Sequence, residues 1–463
     1  MGSESGLGQK RSEVNGPRQV AGRRDPSRGA VLAHLALLTP VFGACESGAT
    51  EGSVDDSDGS VSTLEVTPAA VHILGTSESL AVVHDLEARS DGTIWVLNSI
   101  APFFVAFDSA GGILGAHGTQ GGGPEEFRSP SAFVTGGIDD GVWVLDIRRH
   151  ALVRISDPEA PWAEVPLPRE AIPPGTVRGG MDLMSPVVRT ARLGDEVILP
   201  RSMAGLEAGV NSMVAGMLRA DLVGLGTEDG SVETVLSLGG VLEDPFVGFE
   251  ATEGGFPLWK RLWAVCRNEE VRVFDRVRNQ LRGFDRSGME LPAVDLPDEY
   301  RLDAVTPRQF AEVVFPLRQA EMTGGVGSRL SEVDSARLVT EMAASVQGTP
   351  AQLAAYLPVF SDFRCSPEGT MWLRPFDLDV GALSGGRSWL RITPTGNVGE
   401  ILLPERFDAF RFSEDRVWGV QRDEFDVASI AWAALPRPLT ESPEAGGEGG
   451  RVGAVIRAPR AGK

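Results

Sequence analysis

One pattern recurs along this chain: a turn of Gly or acidic residues, one or two further positions, and a large apolar residue inside a short apolar run. Asp91-Gly92 precedes Trp95, and Asp140-Gly141 precedes Trp143. Weaker copies are centred on Val197, Trp263, Trp372 and Trp418. A second apolar run that ends in a turn follows each of these anchors. Short strands separated by such turns predict antiparallel meanders, and their repetition predicts an array of similar sheets.

The spacing of the anchors indicates the kind of array. Successive anchors lie 48, 54, 66, 109 and 46 residues apart, and four-stranded propeller blades repeat about every 40–50 residues. We therefore predict an all-β fold, a six-bladed β-propeller over residues 63–437, with the tryptophans packed between blades. Two apolar runs, Leu64–Val66 and Ala70–Leu74, precede the first anchor. One of them is expected to complete the last blade, because closure removes exposed sheet edges.

The longest step, between the fourth and fifth anchors, contains a helical pattern. Thr306, Pro307 and Gln309 have the spacing of an N-cap, a proline in the first turn and a capping-box partner. A second helix is predicted over residues 331–345, and Thr349-Pro350 starts a third. Residues 297–357 are thus a predicted helical insertion between blades 4 and 5, which would either cover blade edges or form a lid.

The best-preserved repeat also carries a family resemblance. The segments Gly118-Thr-Gln-Gly-Gly-Gly-Pro-Glu-Glu-Phe127 and Asp140-Gly-Val-Trp-Val-Leu-Asp146, followed by Val153-Arg-Ile155, resemble an NHL-type repeat. The resemblance is to bacterial six-bladed β-propeller proteins, many of them exported lipoproteins. It implies the fold and an extracytoplasmic location, but no single activity, since relatives of this shape include binding modules, lyases and lactone hydrolases.

The amino terminus has the pattern of an export signal. A basic region is followed by the apolar run Ala30–Leu38 and by Phe42-Gly43-Ala44-Cys45, which resembles a bacterial lipobox. We predict a lipoprotein-type signal peptide over residues 1–44, with lipid attachment at Cys45; an ordinary signal peptide or a buried apolar helix is the alternative. Residues 45–62 are predicted to be an acidic disordered tether, and residues 438–463 a disordered tail. The expected location is the cell envelope, in the periplasm or at the outer membrane.

The charge of the chain limits its partners. The formal net charge is −21 at pH 7, and such an acidic chain repels phosphate backbones, so we expect no binding to nucleic acid. The expected partners are the membrane, through the lipid anchor, and a protein, peptide or glycan.

Candidate site residues are few. The residue three positions after an anchor is often polar, which makes Asn98, Asp146 and Gln421 possible channel-lining groups; the alternative is that they bind local backbone in turns. The histidines do not occupy equivalent repeat positions, so we expect no metal site and no cofactor. Cys266 and Cys365 could form a disulfide or remain two buried thiols.

No catalytic constellation is recognisable, so we assign no catalytic residue. The favoured function is a lipid-anchored, extracytoplasmic propeller that binds a protein, peptide or glycan without chemistry. The first alternative is a propeller hydrolase or lyase that uses a divalent metal in the central channel. A second alternative is a purely structural envelope protein.

Overall fold

The structure is a computed structural model that describes residues 62–67, 70–78, 80, 82–135, 141–156, 162–168, 190–201, 221–228, 230–242, 261–322, 331–376 and 387–436. All of these belong to one compact unit, Gly59–Lys463. The predicted signal peptide, Cys45, nearly all of the tether and the tail lie outside the described residues.

The described chain is mostly β. Two strands come first, β1 (Ser62–Glu65) and β2 (Val71–Thr76). Meander 1 contains β3 (Val83–Ala88), β4 (Ile94–Asn98), β5 (Phe104–Phe107) and β6 (Ile113–His117), and is followed by a small parallel pair, β7 (Thr119–Gln120) and β8 (Glu126–Phe127). Meander 2 contains β9 (Pro130–Thr135), β10 (Val142–Asp146), β11 (Ala151–Ile155) and β12 (Ala163–Pro166). Meander 3 contains β13 (Thr190–Leu193), β14 (Glu196–Arg201), β15 (Asp221–Gly226) and β16 (Val232–Ser237), and is followed by the single turn α1 (Leu238–Val241).

The second half continues the pattern. Meander 4 contains β17 (Trp263–Cys266), β18 (Glu270–Asp275), β19 (Gln280–Phe284) and β20 (Glu290–Asp295). Three helices follow: α2 (Pro307–Met322), α3 (Glu332–Ser345) and α4 (Pro350–Tyr356). Meander 5 contains β21 (Phe360–Cys365), β22 (Met371–Pro375), β23 (Ser388–Ile392) and β24 (Val398–Leu402). Meander 6 has three strands of its own, β25 (Phe407–Phe412), β26 (Arg416–Arg422) and β27 (Ala428–Ala434).

The amino-terminal strands complete the last two sheets. β2 pairs antiparallel with β27, from Val71 opposite Ala433 to Thr76 opposite Ser429, and gives meander 6 its fourth strand. This confirms the prediction that a strand preceding the first anchor joins the last sheet. β1 pairs in parallel with β24 and widens meander 5 to five strands. Meanders 2 and 3 form one eight-stranded sheet, because β9 and β13 pair in parallel over two residue pairs.

The core consists of apolar clusters between consecutive meanders. Trp95 of meander 1 lies with Phe133 and Val144 of meander 2. Trp372 of meander 5 lies with Phe412 and Val417 of meander 6. Equivalent clusters join meanders 2 and 3, 3 and 4, and 4 and 5. The predicted packing of tryptophans between sheets is confirmed at these positions, and the arrangement is propeller-like, since each twisted sheet is buried by its neighbours.

The first and last meanders also face each other. Leu86 and Phe107 of meander 1 share a cluster with Val420 and Ile430 of meander 6. Meander 6 is therefore covered on one face by meander 5 and on the other by meander 1. The strand β2, which completes meander 6, immediately precedes meander 1 in the chain.

The fourth predicted anchor, Trp263, is not equivalent to the others, because it lies one strand earlier in its meander. Trp95, Trp143 and Trp372 lie on the second strand of their meanders, whereas Trp263 lies on β17, the first strand of meander 4. The second strand there is β18, whose residue Asp275 corresponds to Asp146 at the end of β10. The turn before β18 has no glycine, and Glu269 adopts the positive φ of 59° there. A pattern based on glycine turns therefore does not detect this turn.

The two ends of the sheets differ in their connections. Consecutive strands are antiparallel, so the first-to-second connections of all meanders and the third-to-fourth connections of meanders 1–5 emerge at one end. These span at most seven residues, and this end is called the short-turn face. The opposite end carries the second-to-third connections and those between meanders, including the one that contains the helices between β20 and β21. This end is called the long-loop face.

The helices follow β20 and hence leave from the long-loop face. The capping box at Thr306 is present: the Gln309 amide donates to Thr306 Oγ1 at 3.2 Å, and the Thr306 amide donates to Gln309 Oε1 at 3.0 Å. At the other end of the insertion, Arg276 of meander 4 donates to the carbonyl oxygens of Ala354 and Leu357 at 2.7 and 2.5 Å. Burial lowers the pKa of Arg276 to about 10, opposed by Asp303. A cation at the carboxyl end of α4 complements the helix dipole and holds the insertion on meander 4.

A disulfide links Cys266 of β17 to Cys365 of β21, with the Cα atoms 5.2 Å apart. Of the two states that the sequence allowed, the structure therefore has the bonded one. The bond joins the first strands of meanders 4 and 5, between which the helical insertion lies, and it closes a loop with a sequence separation of 99 residues.

Loss of this disulfide is expected to lower the free energy of unfolding of the protein. Closing a loop of about 100 residues stabilises a fold by up to about 4.7 kcal/mol through the entropy of the unfolded chain. A Cys266→Ser/Cys365→Ser double variant should therefore unfold at lower urea concentration than the wild type under oxidising conditions. With reductant present the two proteins should become alike. Equal midpoints in both conditions would show that the bond contributes nothing.

Candidate functional site

A small cavity lies where the first strands of the meanders approach each other. It is lined from β3, β9, β13, β17, β21 and β25, so every meander contributes its first strand. The polar lining side chains are Asp85, Thr135, Thr190, Arg364 and Arg411. Its volume is about 60 Å³, which is room for about four water molecules and far below the several hundred Å³ of pockets that enclose organic ligands. It is called the axial cavity below.

An ion cluster forms the charged wall of the axial cavity. Arg411 of β25 contacts two carboxylates of β3: its Nη1 lies 3.1 Å from Asp85 Oδ1, and its Nε lies 2.7 Å from Glu87 Oε2. Asp85 is buried, and it also accepts hydrogen bonds from the amides of Leu86 and Phe133, both at 3.0 Å. Arg364 of β21 pairs with Asp362 of the same strand at 3.1 Å. The cluster thus joins meanders 1, 2 and 6.

The pKa shifts in the cluster follow from burial and from these partners. Burial acts against the charged form of Arg411, but Asp85 and Glu87 outweigh it and raise the pKa of the guanidinium. Burial raises the pKa of Glu87, opposed by Arg411. Burial and the neighbouring Arg411 lower the pKa of Arg364 to about 10. The two arginines therefore face a common, poorly hydrated space, where each needs its carboxylate partner.

This arrangement is suited to holding sheets together rather than to holding a ligand. Asp85, the one carboxylate that lines the axial cavity, already contacts Arg411 and two backbone amides. Throughout the part of the chain that the structure describes, no three His, Cys, Asp or Glu side chains come together as ligands for a metal ion. The axial cavity, with a volume of about 60 Å³, is too small to enclose an organic substrate.

The three predicted channel residues lie elsewhere. Asn98 is buried at the end of β4 and donates from Nδ2 to the carbonyl of Pro102 at 3.0 Å. Asp146, also buried, accepts from the amides of Arg128, Ser129 and Arg149. Gln421 donates to the carbonyls of Glu405 and Arg422. Each bonds backbone groups near a strand end, and none of them is among the residues that line the axial cavity.

The glycine-rich loop of the best-preserved repeat is held by its own side chains. Glu126 accepts from the Gly123 amide at 2.6 Å. Arg149 donates to the carbonyls of Gly123 and Glu126 at 2.9 and 2.6 Å, and forms an ion pair with Glu164. These contacts account for the conformation of the loop without a ligand.

The cluster residues were missed because they belong to first strands, which the repeat pattern does not mark. Glu87 and Arg411 are 324 residues apart, and nothing local relates them. One signal was present: Asp85 and Glu87 alternate with apolar residues in β3, and Asp362 and Arg364 do so in β21. Two charged residues that are two positions apart lie on the same face of a strand. In a first strand, such a pair predicts ion pairs with the neighbouring first strands.

Comparison with known proteins shows likeness only at the level of structure. No family profile matches the sequence, and no curated protein matches it. An exported protein of Bacteroides fragilis has a TM-score of 0.44 at 9% identity, covering 82% of this chain and 100% of that one. Virginiamycin B lyase of Staphylococcus aureus has 0.38 at 10% identity, covering 79% and 99%. A calcium-binding protein, regucalcin, of Agrobacterium tumefaciens has 0.37 at 10% identity, covering 81% and 97%. At these values the activity of none of them extends to this chain.

Removing the arginine of the ion cluster should destabilise the protein strongly. Arg411→Met leaves Asp85 and Glu87 without their partner in a buried site, which costs about 3–5 kcal/mol. The matched control is Arg308→Met, which removes an exposed ion pair with Glu312 and should cost less than about 1 kcal/mol. Urea unfolding of both variants measures the difference. Equal losses would contradict the structural role of the cluster.

The stability should also depend on pH through His84. Burial lowers the pKa of His84 from its ordinary value of 6.5, with Asp85 opposing. Below pH 6.5 the unfolded chain therefore takes up this proton before the folded protein does, and stability falls until the lowered folded pKa is passed. His84→Gln should flatten that part of the stability profile and leave its slope above about pH 8 unchanged. An unaltered slope below pH 6.5 would contradict this assignment.

Proposed function

We propose that this chain is a six-bladed, NHL-repeat-like β-propeller that is exported, anchored to the membrane by a lipid on Cys45, and acts as a non-catalytic binding module for a protein, peptide or glycan. The six-bladed form is supported by the six clusters between consecutive meanders, the last of which joins meander 6 to meander 1. It is also supported by the axial cavity, which six first strands line.

One observation carries the binding role: the carboxylate that lines the axial cavity is paired with an arginine, while the helical insertion leaves from the long-loop face. A catalytic propeller of the alternative kind would place a metal and open carboxylates in the channel. Here the cluster carboxylates contact arginines and backbone amides. The long-loop face carries the helical insertion, and loops on a rigid scaffold are where binding residues concentrate. The long-loop face is therefore the proposed binding face.

The proposed location rests on the sequence and on the disulfide. The basic region, the apolar run and Phe42–Cys45 have the order of a lipoprotein signal. The Cys266–Cys365 bond suits an oxidising compartment. None of the described helices is long and apolar enough to cross a membrane.

The binding face is tested by placing a photo-cross-linking residue at exposed positions of either end in the producing cell. Val277 and Glu125 represent the long-loop face, and Met289 and Thr395 represent the short-turn face. Discrete adducts are expected from the first pair. Adducts from the second pair alone, or none from either, would refute the proposed face.

The catalytic alternative is tested with the purified full chain. Lactone, ester and peptide substrates, with and without added divalent ions, should show no turnover above the buffer rate. Turnover that is lost when the metal is removed would establish the hydrolase or lyase instead. A heat-inactivated sample of the same preparation is the control.

The lipid anchor is tested separately. Cys45→Ala removes the proposed attachment atom, so the protein should move from the membrane fraction to the soluble fraction. Cys266→Ser/Cys365→Ser is the matched control, since it removes cysteines without affecting the signal. Unchanged partitioning of the Cys45→Ala protein would refute the anchor.

A further inference from the structure

A patch of exposed apolar side chains lies on the long-loop face of meanders 6 and 1. Phe425 is 80% exposed, Ile100 59%, Val82 54% and Val427 53%. We propose that this patch, named the Phe425 patch, docks an apolar surface of a partner protein that is surrounded by basic side chains. The inference rests on the proposed binding function and identifies the part of the face and the chemistry of the partner.

Backbone and core contacts bring the patch together. The Ser99 amide donates to the Val82 carbonyl at 2.9 Å, which sets the turn of Ile100 beside Val82. Ala428, which follows Val427 in the chain, lies in one buried cluster with Leu80 and Val83. The four exposed side chains thus lie on turns at the same end of meanders 6 and 1, which pack together through this cluster.

The turn that presents Phe425 is rigid before any partner arrives. Asp423 Oδ1 accepts hydrogen bonds from the amides of Phe425 and Val427, both at 2.9 Å. The Asp426 amide donates to the Asp423 carbonyl at 3.1 Å, and Asp426 adopts a φ of 65°. An exposed aromatic ring on a preorganised turn loses little conformational entropy on binding, which is the property of an interface anchor.

The charges around the ring specify the partner. Asp423, Glu424 and Asp426 are all exposed and flank Phe425 within two residues. Arg422 lies 3.7 Å from Asp426 and 3.6 Å from Asp408, and Arg406 donates to the carbonyl of Asp423. These two cations offset part of the charge of the four carboxylates. An exposed aromatic ring that is surrounded by acidic side chains is complementary to an apolar pocket with basic side chains at its rim.

The same charges argue against two other occupants. A second copy of the chain would bring two acidic patches together in a protein with a net charge of −21, which is repulsive. An anionic lipid surface would be repelled in the same way. A basic-rimmed protein surface is the occupant that satisfies both the apolar and the charged parts of the patch.

The test uses two designed peptides of the same helical pattern, one of Leu and Lys and one of Leu and Glu, with the full-length protein. The Leu/Lys peptide should bind the wild type in a fluorescence anisotropy titration, and the Leu/Glu peptide should not. Phe425→Ser should raise the Kd for the Leu/Lys peptide by about tenfold or more, as the loss of an anchor does. Met289→Ser, which removes an exposed apolar side chain from the short-turn face, should leave the Kd unchanged. Glu424→Lys should weaken binding and reduce its dependence on salt.

Four results would overturn the inference. They are no binding of the Leu/Lys peptide, equal binding by the Phe425→Ser protein, self-association that requires Phe425, or binding to phosphatidylcholine vesicles that requires Phe425. The cross-linking sites Val277 and Glu125 do not belong to the patch. Adducts there together with a negative peptide result would refute this inference and leave the proposed function intact.

Discussion

The structure depends on the packing of each sheet against the next, including the last against the first. A four-stranded twisted sheet cannot bury both of its faces alone, and here each apolar face is covered by a neighbour. The seam between meanders 6 and 1 differs from the others, because the two meanders lie at opposite ends of the described chain. They are linked through β2, which pairs with β27 and continues into β3. The two ends of the described chain are thereby tied through backbone hydrogen bonds.

The disulfide and the ion cluster act on the same set of first strands. Cys266–Cys365 joins β17 to β21, where the helical insertion lengthens the connection between meanders 4 and 5. Arg411 joins β25 to β3, where the closing seam lies. The disulfide therefore links the two meanders that the helical insertion separates in the chain. The Arg411 ion pairs link the last meander to the first. The Arg411 pairs therefore serve the closure of the sheet array, whereas the proposed binding role concerns the long-loop face, where Phe425 is exposed.

The sequence predicted the strands better than the contacts between them. The Asp140-Gly141 turn, the run Val142–Asp146 and the cap at Thr306 are local patterns, and the structure has all three. The prediction that Trp263 marks a second strand is wrong, because packing between sheets also buries tryptophans on first strands. The ion cluster and the disulfide could not be derived, because each joins strands whose neighbourhood is set only when the whole array closes. Asn98, Asp146 and Gln421 were recognised as polar strand ends, but periodicity does not distinguish a backbone partner from a channel.

The most direct test of this account compares hydrogen exchange in two truncated proteins. One lacks residues 1–69, and hence β1, but retains β2; the other lacks residues 1–76, and hence both strands. Closure by β2 predicts that the first retains slow exchange in β27 and β3, whereas the second loses protection in both strands, since the seam between meanders 6 and 1 opens. Equal protection of β27 and β3 in the two proteins would contradict the claim that this strand closes the fold.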